Sequence, residues 1–209
     1  MSFWNSVVQC IDLLFDTTTE RQQQTFDNAC KTGNIHLVNI LLECEIVDPS
    51  YAIRIACRFG HISVVDRLLH EDRSTVDPSA DNNFAIRIAS SCGHVSVVDR
   101  LLQEGASRVD PSAEDNIAIR RASENGHIDV VDRLLQDSRV EPRDVNNNAI
   151  FSALTNGHVA VVDRLLQCVH PFTINIAINY KHKAIIEFLL QDPRVTHYCD
   201  KNLMRFFTK

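Results

Sequence analysis

Nine histidines, seven cysteines and 27 acidic residues among 209 supply donors for a metal site or for acid–base and thiol chemistry. A structural zinc site needs four such ligands at close, regular spacing. Cys168 with His170 and Cys199 with His197 are close Cys/His pairs, but neither extends to a four-ligand pattern. A cysteine nucleophile needs a histidine base held against it, and His94 lies two residues beyond Cys92. The residues equivalent to Cys92 in other copies of a repeated segment are Phe59, Asn125 and Asn156, which makes its thiol incidental. No P-loop, GxGxxG or GxSxG motif is present, and with them goes the usual machinery for phosphate, dinucleotide or acyl chemistry. The expectation is no catalytic residue, no metal and no cofactor.

Charged residues also recur in register. Arg54, Arg87 and Arg120 resemble a basic strip, although a ladder of hydrogen bonds between helices and connections accounts for them more simply. The pairs Asp66-Arg67, Asp99-Arg100, Asp132-Arg133 and Asp163-Arg164 read as a solvated helix face with weak ion pairs between copies. The net charge of −6 opposes nucleic-acid binding, which rests on cationic contacts to phosphate. No apolar run approaches the roughly 20 residues that span a bilayer, and the N-terminus lacks the pattern of a secretory signal. An odd number of cysteines without a CxxC pair argues for a reducing compartment, the cytoplasm or the nucleus.

The elements that position these residues come from a repeat. Gly60-His61, Gly93-His94, Gly126-His127 and Gly157-His158 stand 33, 33 and 31 residues apart. ISVVDRLL (62–69), VSVVDRLL (95–102), IDVVDRLL (128–135) and VAVVDRLL (159–166) follow them; AIRIAC (52–57), AIRIAS (85–90), AIRRAS (118–123) and AIFSAL (149–154) precede them. Weaker copies lie at 35–42 and 182–190. In VVDRLL the apolar residues at i, i+1, i+4 and i+5 form one helical stripe. Glycine ends the preceding helix because it accepts the left-handed conformation. Helices this short are marginal alone, so stability must come from stacking each pair on its neighbours.

The spacing, the Gly-His turn, the VV…LL helix and the alanines at 56, 89, 122 and 153 resemble ankyrin repeats over roughly 25–202. The resemblance implies an all-α solenoid of stacked helix-turn-helix repeats with short hairpin fingers. It also gives the repeated histidines a structural role in the turn. The family's Thr-Pro-Leu-His is replaced by Tyr-Ala-Ile-Arg at 51–54, Phe-Ala-Ile-Arg at 84–87 and Ile-Ala-Ile-Arg at 117–120. That removes a proline helix start and a histidine that ties helix to loop. The phrase at 77–87 is similar to ankyrin arrays of large DNA viruses of amoebae.

The expected organisation is a capping helix or degenerate half-repeat at 1–24, about six repeats at 25–202 and a truncated repeat at 203–209. Gln22–Gln24 reads as part of a polar connection, and complete fingers are expected at 77–83, 110–116 and 141–147. Where the copies differ, the fold has left a residue free. These positions are the finger tips Asp81, Asn82, Asn83, Glu114, Asp115, Asn116, Asn146 and Asn147, and the pre-turn residues Phe59, Ser91, Glu124 and Asn125. In the family such positions line the concave recognition surface. An acidic, amide-rich strip with Phe59 as an aromatic anchor implies a protein partner with a basic patch. The expected function is a non-enzymatic interaction module, with a recruiting adaptor as one version. The alternative is a structural protein that self-associates through its C-terminal end, where Phe206 and Phe207 would be exposed; otherwise a monomer is expected.

Overall fold

The computed structural model describes residues 19–45, 47–71, 75–104, 108–141 and 144–166, with Glu187 and Gln191. Among these residues there are ten helices and no strand, an all-α fold of repeated helix pairs in the solenoid class. The chain divides into two compact units, Met1–Pro111 and Ser112–Lys209.

The first unit contains α1 (Thr19–Thr32), α2 (Ile35–Glu43), α3 (Ala52–Phe59), α4 (Ile62–Leu69), α5 (Ala80–Ser91) and α6 (Val95–Gln103). Each odd-numbered helix packs on the next odd one, and each even helix on the next even one, as well as on its partner in the pair. The apolar stripes explain why: Val64, Val65, Leu68 and Leu69 of α4 and Val97, Val98, Leu101 and Leu102 of α6 are all buried. Burying one such side chain stabilises by about 1.5–3 kcal/mol. Ala52, Ala56, Ala85 and Ala89 are buried on the first helices, where small side chains let backbones approach. Gln22–Gln24, expected in a polar connection, instead lie within α1. From there Gln23 holds the connection that follows α2, its amide accepting from the Asp48 backbone N–H at 2.8 Å and donating to the Asp48 carbonyl at 3.0 Å.

The turn between paired helices is a tie between repeats. Gly60 takes φ 78°, and a Cβ placed there would lie 2.5 Å from His94 Nδ1 of the following pair. His94 Nε2 donates to the Arg58 carbonyl at 3.0 Å, and His61 Nε2 to the Lys31 carbonyl at 2.9 Å. In the first pair Asn34 holds the histidine's place and caps its own helix instead, accepting from Leu37 N–H at 3.2 Å.

The second unit contains α7 (Ala113–Glu124), α8 (Ile128–Leu135), α9 (Asp144–Asn156) and α10 (Val159–Leu166). It repeats the arrangement: α7 packs on α9 and α8 on α10. His158 Nε2 donates to the Glu124 carbonyl at 2.9 Å beside Gly126, whose φ is 77°. The Asp–Arg face carries ion pairs between successive second helices, Asp66 with Arg100 in the first unit and Asp132 with Arg164 in the second.

The connections at 77–83 and 110–116 correct the expectation of hairpin fingers, and the third, at 141–147, lies partly outside the described residues. Asp81, Asn82 and Asn83 are all left-handed (φ 51°, 56° and 61°), as are Glu114, Asp115 and Asn116 (φ 51°, 56° and 57°). Each triplet makes a left-handed turn, closed by Asn83 N–H to the Ser79 carbonyl at 2.8 Å and Asn116 N–H to the Ser112 carbonyl at 2.9 Å. Such residues cost about 1–2 kcal/mol each, least for Asn and Asp. The chain entering the turn is held down by buried Val76 and Val109. Asp77 then accepts from Ser79 N–H at 2.9 Å across Pro78, which has no N–H to give a strand ladder. Residues 1–18, most of the copy at 182–190 and the 203–209 segment with Phe206 and Phe207 lie outside the described residues.

Candidate functional site

In the first unit two helical stripes face one cleft. Gln24, Asp27, Asn28 and Lys31 recur on α1 at i, i+3, i+4 and i+7, while Phe26, Ala29 and Cys30 point into the core. Tyr51, Arg54, Ile55, Arg58 and Phe59 form the matching stripe along α3. With Phe84 from α5 they enclose about 440 Å³, within the usual range for ligand sites. Tyr51 and Phe59 are the large apolar side chains left exposed among the described residues, at 52% and 41%.

Each aromatic ring carries a cation. Lys31 Nζ lies 5.5 Å from the centre of the Phe59 ring, the Arg54 guanidinium 5.0 Å from Tyr51 and that of Arg87 5.9 Å from Phe84. Contacts of this kind contribute about 0.5–1 kcal/mol at exposed sites and hold both partners in place. Arg54 also pairs with Asp81 on the next turn. Arg87 donates to the Asp81 and Asn82 carbonyls, both at 3.3 Å, and so braces the left-handed turn. Asp27 accepts from Gln23 at 3.0 Å. Arg58 is exposed, and its side chain has no partner among the described residues.

The residues singled out from sequence fall in different settings. Phe59 lines the cleft and Asp81 borders it through Arg54. Asn82 is exposed, and Ser91 is half-buried at the end of α5. Asn83 is buried rather than at an exposed tip; its side-chain oxygen accepts from Asp110 N–H at 2.7 Å. In the second unit Asn116 is likewise buried and accepts from Glu141 N–H at 3.1 Å. Glu114, Asp115 and Asn125 are exposed there, whereas Glu124 pairs with Arg121 at 2.7 Å. Asn146 and Asn147 belong to α9, but their side chains lie outside the described residues. Sequence reasoning passed over Tyr51, Arg54, Lys31 and Phe84 as site residues.

Thiol chemistry finds little support in the described core. Burial, with Asp27 nearby, pushes the Cys30 thiol up to about 12, and burial raises Cys57 further. Among the described residues no group of three or more histidines, cysteines or carboxylates is placed to hold a metal ion. Nor is any described helix long and apolar enough to cross a membrane.

A family model described as ankyrin repeats in three copies matches residues 26–115 and, in a second register, 53–144. The two matches together span more than half of the 209 residues. No curated protein matches the chain.

Proposed function

The chain belongs to the ankyrin-repeat family, and from that premise we propose that it is a non-enzymatic module holding a protein partner against its first helices. Ankyrin repeats generally act as protein–protein interaction modules. The observation that carries the reading to a place is the exposure of Tyr51 and Phe59 on one cleft wall. Aromatic anchors of this kind dominate many interfaces. They are fixed beforehand by cations and by the packed helices beneath, so binding orders few side chains. The exposed Glu114 and Asp115 of the second unit form a separate candidate surface for a basic partner. A role as a recruiting adaptor, a cytoplasmic or nuclear setting and the likeness of 77–87 to viral arrays are further parts of this proposal.

Affinity capture from the native cell with mass spectrometry, comparing the wild type with a Tyr51→Ser/Phe59→Ser variant, tests it. The variant is expected to keep its helical circular dichroism and to lose the captured proteins. If it retains the same proteins at the same yield, this face is not where the partner sits.

A further inference from the structure

We infer that the cleft between α1, α3 and the start of α5 takes an acidic segment of the partner protein, a carboxylate side chain next to an apolar one. The inference rests on the interaction-module reading above and specifies the chemistry of the partner at that same site. Although the chain carries −6 overall, Lys31, Arg54 and Arg58 line this cleft against the single carboxylate of Asp27. Arg54 is neutralised by Asp81, and Asp27 is already hydrogen-bonded to Gln23. That leaves Lys31 over the Phe59 ring and, lining the same cleft, the Arg58 guanidinium, which has no partner among the described residues. A guanidinium receives a carboxylate through two parallel hydrogen bonds, and the exposed edges of Tyr51 and Phe59 receive an apolar neighbour.

Two further features decide what kind of acidic ligand fits. A cleft of about 440 Å³ admits a few side chains of an extended segment, not a folded domain. Nucleic acid is disfavoured on two counts. A phosphate chain carries a charge at every nucleotide and meets the net negative charge wherever it runs beyond the cleft cations, and the rings on which bases would stack already carry cations.

Selection of short random peptides displayed on phage against the full chain, with fluorescence titration of the synthesised winners, tests the inference. The winners should pair Asp or Glu with Phe, Trp or Leu. They should lose affinity by about ten- to hundredfold on Arg58→Glu, the effect of removing a charge-assisted hydrogen bond. A Lys31→Glu/Arg58→Glu variant should select basic peptides instead, and circular dichroism establishes that both variants are folded. Basic or uncharged winners from the wild type, or acidic winners that bind Arg58→Glu undiminished, overturn the acidic segment while leaving the interaction module intact. If no winner depends on Tyr51 or Phe59, the site itself fails and the inference with it. A single-stranded oligonucleotide, or a synthetic peptide of residues 1–18, that displaces the winners at similar concentration would assign the cleft to nucleic acid or to the chain's own N-terminal segment.

Discussion

A side chain at Gly60 would meet two separate obstacles. Its left-handed φ of 78° disfavours any residue with a Cβ, and that Cβ would press on His94 at 2.5 Å. The first costs about 1–2 kcal/mol. The second forces the imidazole away from the Arg58 carbonyl and forfeits a hydrogen bond worth about 1 kcal/mol. Gly60→Ala is therefore expected to destabilise by about 2–3 kcal/mol in urea denaturation. In a His94→Ala background the same change should cost only the backbone share, about 1–2 kcal/mol, because the clash is gone. Equal costs in both backgrounds would show that glycine and imidazole act independently. A second residue-scale prediction concerns the row Cys30, Cys57, Ser90, Ser123 and Leu154, all buried. The Ser90 and Ser123 hydroxyls find no partner among the described residues, and an unsatisfied buried hydroxyl is costly. Ser90→Cys, which copies the chain's own choice at 57, should raise stability by about 1 kcal/mol. A drop of similar size would mean that the hydroxyl is bonded after all.

Between elements, charge is organised around Glu104 at the end of α6. It accepts from Arg100 at 2.6 Å and from buried Arg108. Arg100 reaches on to Asp66 of α4 at 2.5 Å, and Arg108 donates to the Val76 carbonyl of the preceding connection at 3.0 Å. Burial alone would raise the Glu104 carboxyl, but its hydrogen bonds and attraction to the two arginines outweigh this and hold it below its ordinary value. A carboxyl depressed by folding stabilises fully above its unfolded pKa and loses that contribution as pH falls through its folded one. Glu104→Gln should thus be less stable than the wild type at neutral pH, with the two curves converging below about pH 4. Parallel curves would place the acid sensitivity elsewhere, for instance at Asp137, which is held low mainly by hydrogen bonds from Arg139. At this scale the helices were legible from VVDRLL and AIRIA because a helical stripe states its own period. The left-handed turns were not, since Asn83 and Asn116 read as free loop residues until Asp110 and Glu141 are seen bonded to them. The cleft was half legible: Phe59 stood out as a residue unlike its equivalents. Tyr51 and Phe84 were visible only as departures from Thr-Pro-Leu-His, and the arginines three residues beyond them also as a recurring strip that a ladder of hydrogen bonds accounted for. Their meaning depends on a ring and a guanidinium sharing a helix face, and on α1 supplying the opposite wall.

For the whole molecule, the question is whether a partner senses the net charge or the local cleft. A chain at −6 repels an acidic segment at distances where its charges merge into one field. At physiological salt that field is screened beyond about 8 Å, so the final approach is governed by the nearest side chains. Two substitutions with identical effects on net charge separate these regimes. Arg58→Glu and Arg121→Glu each remove one positive charge and add one negative, moving the formal charge from −6 to −8. Arg58 stands on the cleft wall; Arg121, in the second unit, makes an exposed pair with Glu124, the kind worth about 0–1 kcal/mol. Stopped-flow association with an acidic peptide at moderate salt should be slowed markedly by Arg58→Glu and left near wild type by Arg121→Glu. Lowering the salt should bring the two variants closer together, because the longer screening length lets the shared net charge act on both. If the two are slowed equally at physiological salt, the partner responds to the field of the whole chain, and the cleft cations have no special part in its capture.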